Sequence, residues 1–376
     1  MNLGDVFCQD GAIEGLCRAF ESGRMAHAYL FVGEDGVGRE TTARAWAKML
    51  LCGNRKKITK DGWTFYDSCG VCTSCGMFES GGHPDYRPVY KEMVQFTRKG
   101  KDRKTPVKMP IDVIREFLIE KVAQRPQMSE YAVYVVSEAE KVNDESQNAL
   151  LKVLEEPPPF CVILLICSRL DEMLPTTQSR CRVVRFGPVD EDFICEKLLR
   201  QGAGKLAADY WSRFCQGSAG TALDWGLLQS EKADGYKIKK EIVKRLAGLE
   251  LADVVEFAGW LGSSVDAIGS AWAQVRSEVS TTDLNRRAQK GLIQMIIFAL
   301  TDAMKLNIGR DGGLINADQP DEIKQIADRY DADESAELTE KAYEKIQWVE
   351  ASVNGKLIFE GLLCNLAGSD ILESMS

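Results

Sequence analysis

Nowhere in its 376 residues does this chain hold a run of about 18 apolar residues, so no segment is expected to span a membrane. Its first residues, Met1-Asn2-Leu3-Gly4-Asp5, lack the basic stretch and apolar core of a secretory signal, and the expected compartment is the cytoplasm. Internal repeats and low-complexity tracts are missing, which argues against a stacked-repeat architecture. Positive charge is not in excess either. A net charge of −9 argues against a surface that wraps nucleic acid throughout. One local basic stretch stands out, from Arg98 to Lys108, and reads as a solvated loop or a nucleic-acid or partner contact.

What is present is an ordinary globular composition, 45% apolar and 27% charged, in a chain long enough for two or three domains. Ala28–Val32 reads as a buried parallel strand and Glu40–Leu51 as a helix with Ala43, Trp46, Ala47 and Leu50 on one face. Tyr131–Val136, Phe160–Cys167 and Cys181–Phe186 read as further buried strands. Asn143–Glu155 is a helix stopped by Pro157-Pro158-Pro159. Strands alternating with helices predict an α/β domain with a parallel sheet over residues 1–187. After Pro188 no convincing strand remains. A small helical module over 188–231 and a larger all-α domain over 232–376 are expected, with a loop at Gly309–Asp321.

Between the first strand and its helix lies Gly33-Glu34-Asp35-Gly36-Val37-Gly38-Arg39-Glu40-Thr41-Thr42. A phosphate-binding P-loop carries glycines, then lysine and a hydroxyl: amides and the helix N-terminus hold phosphate, lysine reaches outer oxygens, and the hydroxyl ligates Mg²⁺. Here Gly33, Gly36 and Gly38 are in place, but Arg39 and Glu40 replace the last pair, with Thr41 following. Two like charges about 4 Å apart cost roughly 4 kcal/mol at an effective dielectric near 20, so Glu40 repels polyphosphate. It can complement the helix dipole itself. The strand Val133–Val136 ends in Ser137-Glu138, the Walker B position, with serine where an Mg²⁺-holding aspartate is expected. Both Mg²⁺ positions are lost together, which points to a P-loop with impaired nucleotide binding and a retired active site.

The 12 cysteines of a chain expected in a reducing compartment read as thiols or metal ligands. Cys8, Cys17, Cys161, Cys167, Cys181, Cys195, Cys215 and Cys364 stand singly and read as core. Cys69-x2-Cys72-x2-Cys75 does not. With Cys52 it offers four thiolates for a structural Zn²⁺; His83 is the rival fourth ligand, placing the module at about 52–83. An iron–sulfur reading fits less well, since Glu79 stands where a fourth cysteine is wanted.

Several strings resemble one family. Asn148-Ala149-Leu150-Leu151-Lys152-Val153-Leu154-Glu155-Glu156-Pro157-Pro158 is similar to the NALLKxLEEPP stretch of bacterial DNA polymerase III clamp-loader subunits, and Leu174–Cys181 to their LPTxxSRC segment. His27–Phe31 and the inserted cysteine cluster fit as well. The resemblance covers about the first half of the chain. It implies an AAA+ domain, a helical lid, and a C-terminal collar that assembles the loader, which places a ring clamp on primer–template DNA. Motor (tau/gamma) members keep GKT, an acidic Walker B pair and an arginine in GSxRDA. Here Gly217-Ser218-Ala219-Gly220 puts glycine in that arginine's place. The departures resemble the delta-prime branch, which does not hydrolyse ATP, although many of its members keep the P-loop lysine. The resemblance also implies tau/gamma and delta subunits as partners, and Arg180 as an arginine finger acting in the neighbouring motor's ATP site. An ATP-hydrolysing motor subunit and a zinc-containing DNA-binding regulator are the rival readings.

Overall fold

The computed structural model describes residues 1–60, 62–99, 108–230, 233–276 and 279–373, the last five as backbone only. It divides into two compact units. One comprises Met1–Asp190 with Gly217–Gly220; the other comprises Glu191–Gln216 and the chain from Thr221 onward.

The first unit is built on a parallel sheet. Its strands are β1 (Ala28–Val32), β4 (Tyr86–Val89), β5 (Ala132–Val136), β6 (Cys161–Cys167) and β7 (Arg182–Arg185), while β2 (Lys56–Lys60) and β3 (Trp63–Asp67) form a separate antiparallel hairpin. The spatial order is β4-β5-β6-β1-β7. Every residue of β1, β5 and β6 is buried, because helices cover both faces of a parallel sheet and strand patterning becomes a continuous apolar run. On one face pack α1 (Asp10–Glu21) and α2 (Arg39–Leu51), with Trp46 fully enclosed; Val113, Leu118, Leu150 and Leu154 lie in the core of the other face. Replacing Trp46 with alanine is expected to cost about 3–5 kcal/mol in urea unfolding of this unit, by analogy with other buried large-to-small changes. A loss below about 1 kcal/mol would show that the site collapses around the gap.

Two expectations need correction here. Cys181–Phe186 is not a buried strand: β7 is an edge strand paired only to β1 among the described residues, and three of its four residues are exposed. Tyr86–Val89 was missed because Pro88 interrupts a strand pattern. An edge strand tolerates proline, which has no N–H to give to a ladder.

The second unit is helical, with helices at Gly235–Ala247, Val254–Val275, Thr281–Asn307, Pro320–Arg329, Ala332–Glu350 and Gly355–Glu373. It also holds a two-residue strand pair, Gln229–Ser230 with Ala233–Asp234, where none was expected. Trp211, Trp225 and Trp272 pack in sequence at 5.4 and 5.0 Å between ring centres. The fully buried Lys239 ammonium pairs with Asp318 at 2.5 Å, tying the segment before Pro320 to the helix Gly235–Ala247.

Of the single cysteines, Cys8 and Cys364 are exposed rather than core. Cys8 sits in left-handed backbone (φ 58°) in the turn before α1, where its side chain cannot follow the helix inward. No helix among the described residues is long and apolar enough to cross a membrane.

Candidate functional site

The glycine loop follows β1, the strand between β6 and β7. A Cβ on Gly33 would stand 2.7 Å from the carbonyl oxygen of Phe186, and Gly38 caps α2 at φ 106°, in backbone that side-chain-bearing residues rarely adopt. These two glycines thus meet steric and backbone requirements of the turn between β1 and α2. Arg39 is only 7% exposed, and its guanidinium pairs with the carboxylate of Asp35 within the same loop. Glu40 is exposed in the first turn of α2, where a carboxylate complements the dipole, and Thr41 is half-buried.

The loop is also covered by other segments of its own unit. The Gly220 N–H donates to the Gly36 carbonyl at 2.9 Å, and the Ser218 hydroxyl donates to the Asp35 carbonyl at 2.6 Å. Any Cβ at position 220 would meet Gly36 Cα at 2.9 Å. Glycine here is thus a packing requirement. From the other side, buried Gln9 donates its amide to Val37 O at 3.0 Å and Gly187 O at 2.9 Å. Sequence reading gave no role to Gln9, which lies in no motif, or to Ser218, which lies in the Gly217–Gly220 string but was read only for its glycine at 220.

At the end of β5, Ser137 donates its amide to Val89 O at 3.0 Å. Glu138 adopts left-handed backbone (φ 50°), and its carboxylate is paired with Lys141 and, at 3.2 Å, with the buried ammonium of Lys91. Lys91 is a further group that no motif indicated.

The cysteine cluster is built by three local devices. Cys52 ends α2, Gly70 turns the chain at φ 75°, and Cys72 caps α3 (Thr73–Glu79). The long spacing between Cys52 and Cys69 holds the β2–β3 hairpin. Cys52 Sγ lies 3.6 Å from Cys69 Sγ and 3.8 Å from Cys72 Sγ, and Cys69 Sγ lies 3.9 Å from Cys75 Sγ. All four sulfurs fall within 4.8 Å of one another. A tetrahedron with metal–sulfur bonds of about 2.3 Å has edges of about 3.8 Å, so the set fits a metal ion. Backbone amides of Asn54, Cys69, Cys72 and Cys75 donate to the sulfurs at 3.3 to 3.5 Å. Desolvation pushes the Cys52 and Cys75 thiols up, whereas at Cys69 and Cys72 desolvation is outweighed by backbone donors and the thiols are held below their ordinary value.

His83 stands outside this set. Its Nε2 lies 2.9 Å from Ser74 Oγ and its Nδ1 accepts from the Asp85 amide at 3.1 Å, so both ring nitrogens have partners. Desolvation lowers its pKa and favours the neutral ring.

Arg180 lies one residue before Cys181 and two before β7, one-third exposed. Its guanidinium donates to Glu155 Oε1 at 2.6 Å and to Thr176 O at 3.0 Å. Of the basic stretch 98–108, positions 100–107 lie outside the described residues. Arg98 pairs with Glu116 and Glu120.

Two family models match the chain: one described as "DNA polymerase III, delta subunit" over residues 8–190, and one described as "DNA polymerase III, delta subunit, C terminal" over residues 277–368. The DNA polymerase III subunit delta' of Pseudomonas aeruginosa is 35% identical over 156 residues, 42% of this chain and 42% of that protein. The subunit delta' of Escherichia coli is 30% identical over 238 residues, 62% of this chain and 63% of that protein. The aligned regions thus span less than two thirds of each of these two relatives. The subunit delta' of Yersinia pestis is 28% identical over 316 residues, 81% of this chain and 78% of that protein. With matches at both ends of its length, the chain belongs to the DNA polymerase III clamp-loader family, among its delta' subunits.

Proposed function

We propose that the chain acts as a non-motor subunit of the clamp loader, helping to place a sliding clamp on primer–template DNA while hydrolysing no ATP itself. The observation that carries this reading is the covered glycine loop. The Gly220 amide bonds to Gly36 and leaves no room for a side chain at position 220, while Arg39 is turned onto Asp35 and Glu138 onto Lys91 and Lys141. The P-loop and Walker B are degenerate in this reading. The AAA+ domain spans 1–187, residues 188–231 form the lid, and 232–376 form the collar that meets the tau/gamma and delta subunits. Arg180 supplies an arginine finger to the ATP site of a neighbouring motor. Cys52, Cys69, Cys72 and Cys75 hold a structural Zn²⁺, which closes the module with no open position for catalysis.

The isolated chain is expected to show neither Mg²⁺-dependent ATP hydrolysis nor saturable ATP binding by calorimetry. Turnover that survives purification and vanishes in a Glu138→Gln variant would establish the motor reading instead. A back-substitution Gly220→Arg is expected to lower stability without creating turnover, because its Cβ forces Gly36 away.

A further inference from the structure

We infer that Glu155 is a positioning residue for Arg180, holding its guanidinium in the orientation from which it acts. The inference rests on the arginine-finger reading above. Glu155 is the last residue of the helix Asp144–Glu155, and the prolines at 157–159 prevent that helix from continuing. The end of the helix is therefore well defined, and so is the carboxylate it carries. Negative charge is unfavourable at a helix C-terminus, so a cation is drawn to this point. Arg180 meets it from 25 residues further along the chain.

Both terminal nitrogens of the guanidinium are engaged. One terminal nitrogen donates to Glu155 Oε1 at 2.6 Å; the other donates to Thr176 O at 3.0 Å and lies 3.4 Å from Ser179 Oγ. A guanidinium carries five N–H donors in a rigid fork, so further donors remain for another ligand while the side chain stays one-third exposed. An ion pair this exposed adds little to stability. What it supplies is a restrained rotamer in a long side chain that would otherwise lose its freedom only when it meets phosphate oxygens.

The test uses a reconstituted loader with Glu155→Ala, Arg180→Ala and the double variant in this subunit. Ordering one long side chain is worth about a 2–10-fold factor, so Glu155→Ala is expected to lower kcat of the stimulated ATPase about 2–10-fold. KM for ATP and the extent of assembly should not change. In the Arg180→Ala background, adding Glu155→Ala should have no further effect, whereas a merely structural role would lower the rate in both backgrounds. If Arg180→Ala is impaired but Glu155→Ala matches or exceeds wild type, the positioning role is overturned while the finger stands. If Arg180→Ala itself matches wild type, the finger fails and this inference fails with it. Should the Glu155→Ala complex not assemble, Glu155→Leu is measured in its place; it keeps much of the bulk but can accept no hydrogen bond from Arg180, and wild-type turnover there also overturns the proposal.

Discussion

A loader reconstituted with Arg180→Ala in this subunit is expected to lose at least about 10-fold of its clamp- and DNA-stimulated ATPase, and to load clamps correspondingly slowly. The bound comes from phosphoryl-transfer systems in which an arginine supplied in trans contributes about 10³–10⁵ in rate at its own site. One impaired site among several gives a smaller overall change. Arginine suits the task because it is charged at every accessible pH and grips phosphate oxygens with parallel donors. Lysine keeps the charge and loses the fork, so Arg180→Lys should recover only part of the rate. Assembly should be intact in both variants, since Arg180 is joined to its own unit by one half-exposed ion pair and a few hydrogen bonds. Wild-type ATPase and loading rates in an intact complex would leave Arg180 with a structural role alone.

Metal analysis of the purified chain is expected to find about one zinc per molecule, and removing it should loosen the cysteine module without unfolding the sheet. Structural zinc contributes roughly 10–16 kcal/mol of apparent binding free energy in small zinc-finger peptides, which have no other core. Here the sheet has its own apolar core on both faces, so the loss stays local. Its reach can be named from the hydrogen bonds. Asp67, at the end of β3 and two residues before Cys69, accepts from the Leu3 amide at 3.1 Å and the Gly4 amide at 2.9 Å. Hydrogen exchange after chelation should therefore rise across residues 52–83 and at Leu3 and Gly4, while β1, β5 and β6 stay protected. Zinc far below one per chain, or equal loss of protection in the sheet, would sink this account.

Much of the fold and of the site is legible in the amino-acid sequence. The strand–glycine–helix order, the helix broken by three prolines and the Cys-x2-Cys-x2-Cys spacing are local patterns, governed by backbone geometry within a few residues. Such patterns place Gly38 at a helix cap and Cys72 at the start of α3 wherever they occur. The edge strand β7 departs from expectation because apolar residues in a run do not say which side of them the rest of the chain will cover, and Cys8 because its left-handed backbone was not legible from residue type.

Residue types alone determined that no lysine follows the loop's glycines and no aspartate ends the strand: Arg39, Glu40 and Ser137 stand there. Tertiary structure decided the contacts. Ser218 reaches Asp35 across 183 residues of chain, Gly220 seals onto Gly36, Lys91 claims Glu138, and Cys52 rather than His83 completes the sulfur set. Each of these depends on close packing between distant segments, where a single Cβ or an ammonium a few ångströms away changes the outcome. No periodicity or spacing along the chain encodes those distances.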